Sequence, residues 1–232
     1  MDRPAEWARA VSSGMARSKT WYVKLPTVFP KDRPIARLIA RLFVLWQDLL
    51  YEKAGIAQDE GFEGLDRKGT GERGELHRRL YFIRANSRTL VSAKYLFDAL
   101  VADPTFAGWL KEDARLSATF FAAKKSFDRH REVVERVRNT VGAHAEHHLG
   151  DAIDSFVSDD EAPFEIHSDD FIRPHLATEI LLAALTPSVP EEERLEAYKA
   201  VVTPLAEATN AMIAAMATVV EAYMVRLRLL PE

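Results

Sequence analysis

Arg138, Asn139 and His144, in the segment Arg138-Asn139-Thr140-Val141-Gly142-Ala143-His144, bring a guanidinium, a carboxamide and an imidazole close together in the chain. Cleavage of RNA is one chemistry those groups could perform. RNA carries its own nucleophile, the 2′-hydroxyl, beside every phosphodiester, so cleavage needs only positioning, charge stabilisation and proton transfer. Arginine offers a planar, permanently charged donor fork to phosphate oxygens. Histidine, with an unperturbed pKa of about 6.5, exchanges protons near neutrality. The asparagine amide can orient ribose or phosphate by hydrogen bonding. No cofactor is required. Taken singly, Arg138 also reads as a helix-terminal arginine paired with Glu135 or Glu146, and His144 as an imidazole beside a helix C-terminus.

Two further sets of residues adjoin this one. Lys124, Arg131 and Arg138 recur every seven residues and so share one helix edge, where the first two could guide flanking nucleic-acid backbone by charge. His144, His147, His148 and Asp151, with Glu146 and Asp154, have the i, i+3 and i, i+4 spacings of helical metal ligands, an alternative use of the same region. A second ligand-bearing segment would have to come from His167, Asp169, Asp170 or His175, which have no diagnostic spacing. His130, between Phe127 and Val134 on an apolar seam, reads as a satisfied core or interface histidine.

The elements that must position these groups are helices. Ile83, Leu90 and Phe97 repeat every seven residues beside Asn86, Ala93 and Leu100, the seam of a long helix that Pro104 ends. From about Lys111 to Val141 the pattern is more regular, with Phe120, Phe127, Val134 and Val141 in one column and Leu116, Ala123, His130 and Val137 in the next. Earlier, Pro34 opens an amphipathic stretch with apolar positions at Ile35, Ile39, Leu42, Leu45 and Leu49, and Gly55 reads as its stop. Later, the segment 176–185 reads as a short apolar helix closed by Pro187, and a final helical pattern runs from Pro190 to Leu230, bent at Pro204. The segment 57–76 holds five of the ten glycines in a polar setting and reads as a surface loop. Its GTGERG run lacks the Gly-Lys-Ser/Thr ending of a phosphate loop. No strand survives the reading.

Composition narrows the classes. The 232 residues are 47% hydrophobic and contain no cysteine, which excludes disulfides and thiolate chemistry and leaves His, Asp and Glu as the metal-capable side chains. The first 24 residues carry charge every few positions without the apolar run of a secretory signal, and Val201 to Val220 is interrupted by Pro204, Glu207 and Asn210, so a cytoplasmic protein with no membrane partner is expected. The net charge of −4 hides an asymmetry. Residues 77–138 hold 13 Lys and Arg against 7 Asp and Glu, whereas 146–170 hold nine acidic residues and no Lys or Arg. A clustered positive region attracts phosphates whatever the total charge.

A helix ending in Arg138 and Asn139, followed at His144 by the histidine, resembles the RX4-6H motif of HEPN domains, and the preceding long helices resemble that superfamily's bundle. The resemblance covers roughly residues 77–151. It implies a HEPN-like antiparallel core over about 77–151, and the helical patterns before and after it complete the expectation of an all-α fold, one helical domain over 1–232 with additional N- and C-terminal helices. It also implies a homodimer in which two copies of the motif face each other, and metal-independent endoribonuclease activity of the defence or toxin–antitoxin kind with Arg138, Asn139 and His144 as catalytic residues and RNA and an antitoxin as partners. The competing expectation is a noncatalytic helical dimer that binds a nucleotide, RNA or a protein, with the acidic segment regulating the basic edge.

Overall fold

The computed structural model describes residues 24–57, 71–142 and 193–229, together with positions 181, 184–186 and 189. All regular structure among them is helical, as the heptad-like columns predict. In chain order the elements are α1 (Leu25–Val28), α2 (Pro34–Ala57), α3 (Gly71–Ala102), α4 (Pro104–Glu112), α5 (Ala114–Val137), a π-helical turn (Arg138–Gly142) and α6 (Arg194–Arg226).

Four of these make the bundle. α3 packs on α2 and α5, and α6 packs on α5 and α2, so the four long helices close a ring. Neighbours run antiparallel. Glu52 near the end of α2 meets Thr89 of α3; the Phe97 and Phe120 rings stack at 4.5 Å between α3 and α5; Arg115 and Glu221 pair at 3.1 Å at one end of α5 and α6, and His130 and Glu207 at 2.8 Å further along. The result is an up-down-up-down four-helix arrangement.

The core is one continuous apolar cluster, not a central unit with wrappings. Ile39, Leu42 and Leu49 of α2 are fully buried beside Ile83, Leu90 and Phe97 of α3, Phe120, Phe127 and Val134 of α5, and Ala208, Met212 and Met216 of α6. Helices outside the span 77–151 thus complete the same core. α6 from Glu196 to Arg226 is long and apolar enough to cross a membrane by length and composition, with mean hydropathy 1.3. In the bundle its apolar side chains fill the space between the other three helices. Pro204 lies inside α6, where it removes one main-chain donor.

Local chemistry sets the breaks, and three of them differ from the expected boundaries. The helix expected from Lys111 starts at Ala114 because Asp113 caps it: its Oδ1 accepts from the Leu116 amide at 2.9 Å, while its own amide closes α4 on the Trp109 carbonyl. Asp103 does the same for α4, accepting from the Thr105 and Phe106 amides with Pro104 following. α3 begins at Gly71, so the last part of the loop expected over 57–76 is helical. Gly55 does not stop α2, which continues to Ala57. A Cβ at Gly55 would lie 2.3 Å from the Phe82 ring, so glycine is present there for close approach. At the other end of the bundle the Tyr223 hydroxyl donates to the Val28 carbonyl, and Arg226 lies 4.9 Å over the Trp109 ring, tying α1, α4 and α6 together.

Candidate functional site

The motif residues sit where α5 changes geometry. After Val137 the helix widens into the π-helical turn Arg138–Gly142. Such turns are rare, and those that occur are found frequently at functional sites. The Arg138 amide is shared between the Val134 and Glu135 carbonyls. Val141 is fully buried and holds the turn to the core. Arg84 of α3 donates its Nε to the Val141 carbonyl, a bond between residues 57 apart that ties the turn to the neighbouring helix. With Val141 held on both sides, Arg138 is half-buried and Asn139 is exposed. Arg84 sets a second guanidinium against the same turn.

His144 lies outside the described residues, as do His147, His148 and Asp151 of the metal alternative. An unbroken α-helix would continue the apolar seam from Val137 to His144. Among the described residues there is no group of three or more His, Asp or Glu arranged to hold a metal ion.

Lys124 and Arg131 line a hollow of about 140 Å³ with Lys94, Asp98, Asp128 and, as its apolar member, Met212. Its charges are largely satisfied internally. Asp98 accepts from Lys124 and, at 2.8 Å, from Lys94, while Arg131 pairs with Asp128 at 2.8 Å. Burial alone would raise the Asp98 pKa, but the hydrogen bonds from Lys124 and Lys94 outweigh it and hold the carboxyl below its usual range. Three cations against two carboxylates leave the hollow weakly positive. Arg138 is not part of its lining; it lies on the same edge of α5, one seven-residue step, about 10 Å, beyond Arg131.

His130, read from the sequence as a core or interface histidine, contacts Glu207 through Nε2 at 2.8 Å and belongs to the α5 and α6 contact. The sequence reading missed a second polar cluster altogether. Glu52, 8% exposed, accepts from Thr89 at 2.6 Å and from Asn86 at 3.3 Å, and the Asn86 carbonyl oxygen accepts from Thr209 at 2.9 Å. The chain of bonds joins α2, α3 and α6 inside the bundle. Burial raises the Glu52 pKa to about 7, against the lowering effect of the Thr89 and Asn86 bonds and with a further push upward from Asp48. Asn86 on an apolar seam was the available signal, since a buried amide needs partners.

No protein-family model, curated protein or solved structure matches the chain. The residues themselves therefore carry the functional reading.

Proposed function

We propose that this protein is a metal-independent endoribonuclease of the HEPN type, acting as a homodimer in a defence or toxin–antitoxin role. The supporting observation is the π-helical turn: it carries a half-buried Arg138 and an exposed Asn139 while Val141 and Arg84 fix it to the core. A group that must stabilise a transition state gains from being held before the substrate arrives.

In this reading Arg138 binds the non-bridging oxygens of the scissile phosphate and stabilises the extra negative charge as the 2′-oxygen attacks. Asn139 orients the ribose or the phosphate. The imidazole of His144 from one subunit takes the 2′-hydroxyl proton; its counterpart, as imidazolium, gives a proton to the departing 5′-oxygen. The 2′-oxygen to phosphorus bond forms, the phosphorus to 5′-oxygen bond breaks, and the products are a 2′,3′-cyclic phosphate and a 5′-hydroxyl.

The test incubates the full chain with mixed RNA in excess EDTA, beside the Arg138→Ala and His144→Ala variants, and maps the fragment ends. Cyclic-phosphate ends that disappear in both variants support the proposal. Absence of cleavage by the intact dimer overturns it, and activity abolished by EDTA but restored by Zn²⁺ or Mn²⁺ transfers the chemistry to the histidine cluster.

The ion-paired hollow favours a second reading. With Lys94 and Lys124 on Asp98 and Arg131 on Asp128, this part of the basic edge is already largely neutralised, which weakens its use in guiding a scissile strand and leaves a noncatalytic module for RNA, a nucleotide or a protein as the alternative. RNA retention without cleavage distinguishes it.

A further inference from the structure

The face of α3 opposite its core seam has a composition that packing does not explain. Tyr81, Arg88 and Tyr95 recur every seven residues and, with Arg84 and Ser92 between them, form one stripe on the outer side of the helix. Tyr81 is 60% and Tyr95 61% exposed. From Leu76 to Phe97 the chain holds five Lys and Arg and no Asp or Glu. A solvated helix face ordinarily alternates charge at i, i+4 spacing, and Arg84 and Arg88 at that spacing repel each other instead. Arg88 makes no ion pair among the described residues. An exposed tyrosine alone is ordinary; two in helical register, with an unpaired arginine between them on an acid-free stretch, match the combination of base-stacking rings and phosphate-neutralising cations that binds unpaired nucleic acid.

The stripe also leads to the motif. Arg84 belongs to it and holds the Val141 carbonyl of the π-helical turn, so the track meets the turn that carries Arg138 and Asn139. Tyr81 and Tyr95 are 14 residues apart, about 21 Å along the axis, which is long enough to engage several nucleotides. Lys94 lies 4.9 Å over one face of the Tyr95 ring and shares its charge with Asp98, which leaves the other ring face for a base.

We propose that the outer face of α3 is a binding track for single-stranded RNA, with bases stacked on Tyr81 and Tyr95 and the intervening backbone neutralised by Arg88. The ribonuclease reading is needed only to identify the strand as RNA. A duplex keeps its bases stacked on one another and leaves the two rings without partners.

The test uses a fluorescein-labelled 2′-O-methyl 12-mer, which has the bases and phosphates of RNA but no free 2′-hydroxyl nucleophile. Its binding to the full chain is measured by anisotropy in EDTA over a range of salt concentrations. Tyr81→Ala and Tyr95→Ala should each weaken binding on the order of tenfold, Tyr→Phe at either position should retain it, and Arg88→Gln should reduce the salt slope by about one. The same sequence as a duplex should bind more weakly.

Equal affinity for the duplex, or a Tyr81→Ala/Tyr95→Ala double variant that binds like the parent while circular dichroism shows it folded, overturns the proposal. A changed oligomeric state on gel filtration with RNA binding intact assigns the face to contact between copies and overturns it equally. Tyrosine-dependent binding in a protein that cleaves nothing supports the track and removes the nuclease reading.

Discussion

The Nε of Arg84, midway along α3, donates to the main-chain carbonyl of Val141, 57 residues later in the chain. The bond crosses from one bundle helix to the π-helical turn that follows the next, and it supplies a charged donor to that turn's main chain. Replacing Arg84 with methionine keeps the aliphatic stem and removes the donor. The expected loss of unfolding free energy is about 1–3 kcal/mol, as for other part-buried acceptors deprived of a charged partner. Urea denaturation at fixed pH measures it. Hydrogen exchange should quicken at the amides of residues 138–142 before it quickens elsewhere, and an unchanged exchange pattern would mean that the turn holds its shape without Arg84.

Glu52 makes stability fall with rising pH. Its folded-state pKa, about 7, lies above its ordinary 4.5, so the folded protein keeps a proton that the unfolded chain releases. The contribution is therefore fully present below about 4.5 and is lost progressively as pH climbs through about 7. Its size is on the order of a few kcal/mol at most. Glu52→Gln removes the titrating group and should flatten stability between pH 5 and 8, whereas the parent loses stability over that range. Chemical denaturation at half-unit pH steps distinguishes the two profiles, and parallel curves would refute the assignment.

These two contacts mark the boundary of what the sequence discloses. The columns through Ile83, Leu90 and Phe97 and through Phe120, Phe127, Val134 and Val141 were legible because each repeats a helical period, and all seven side chains are buried. Asp113 was not read as a boundary, because its capping bond to the Leu116 amide interrupts the helix without disturbing the apolar period. The π-helical turn left no periodic trace either, since Val141 stays in its column. Glu52 and Thr209 lie on helices far apart in sequence, and only Asn86 hinted that the core held polar groups. Arg138 and Asn139 stood out by type and spacing alone; the bond from Arg84 to the turn that carries them joins residues 57 apart, which no local pattern connects.

Gly55 and Phe82 give a test of packing between α2 and α3. Alanine at Gly55 would gain about 1 kcal/mol of helix propensity. Its Cβ would also come within 2.3 Å of the Phe82 ring, and such overpacking costs about 1–3 kcal/mol. The second effect should win, so Gly55→Ala lowers stability by up to about 2 kcal/mol. In a Phe82→Ala background the clash disappears and the same substitution should become neutral or stabilising. A double-mutant cycle reads the coupling directly. Additive effects would show that the two helices can separate at no cost.

Asp98 is a carboxylate held between Lys94 and Lys124, and so it works against any anion that approaches the α3 and α5 edge. Asp98→Asn keeps the shape and removes one negative charge, releasing two lysines whose joint field then falls on the ligand. RNA should bind roughly three- to tenfold tighter at low salt, with the advantage shrinking as salt screens the lysines. The side chains of the bridge are 27–40% exposed, so stability should change by no more than about 1 kcal/mol. Anisotropy titrations at two salt concentrations, with the Lys124→Ala variant alongside, check the sign: the lysine variant should weaken binding, and the double variant should fall between the two. Tighter binding that persists at high salt would point to a change in shape instead, because a purely electrostatic gain between exposed charges cannot survive a screening length of about 3 Å.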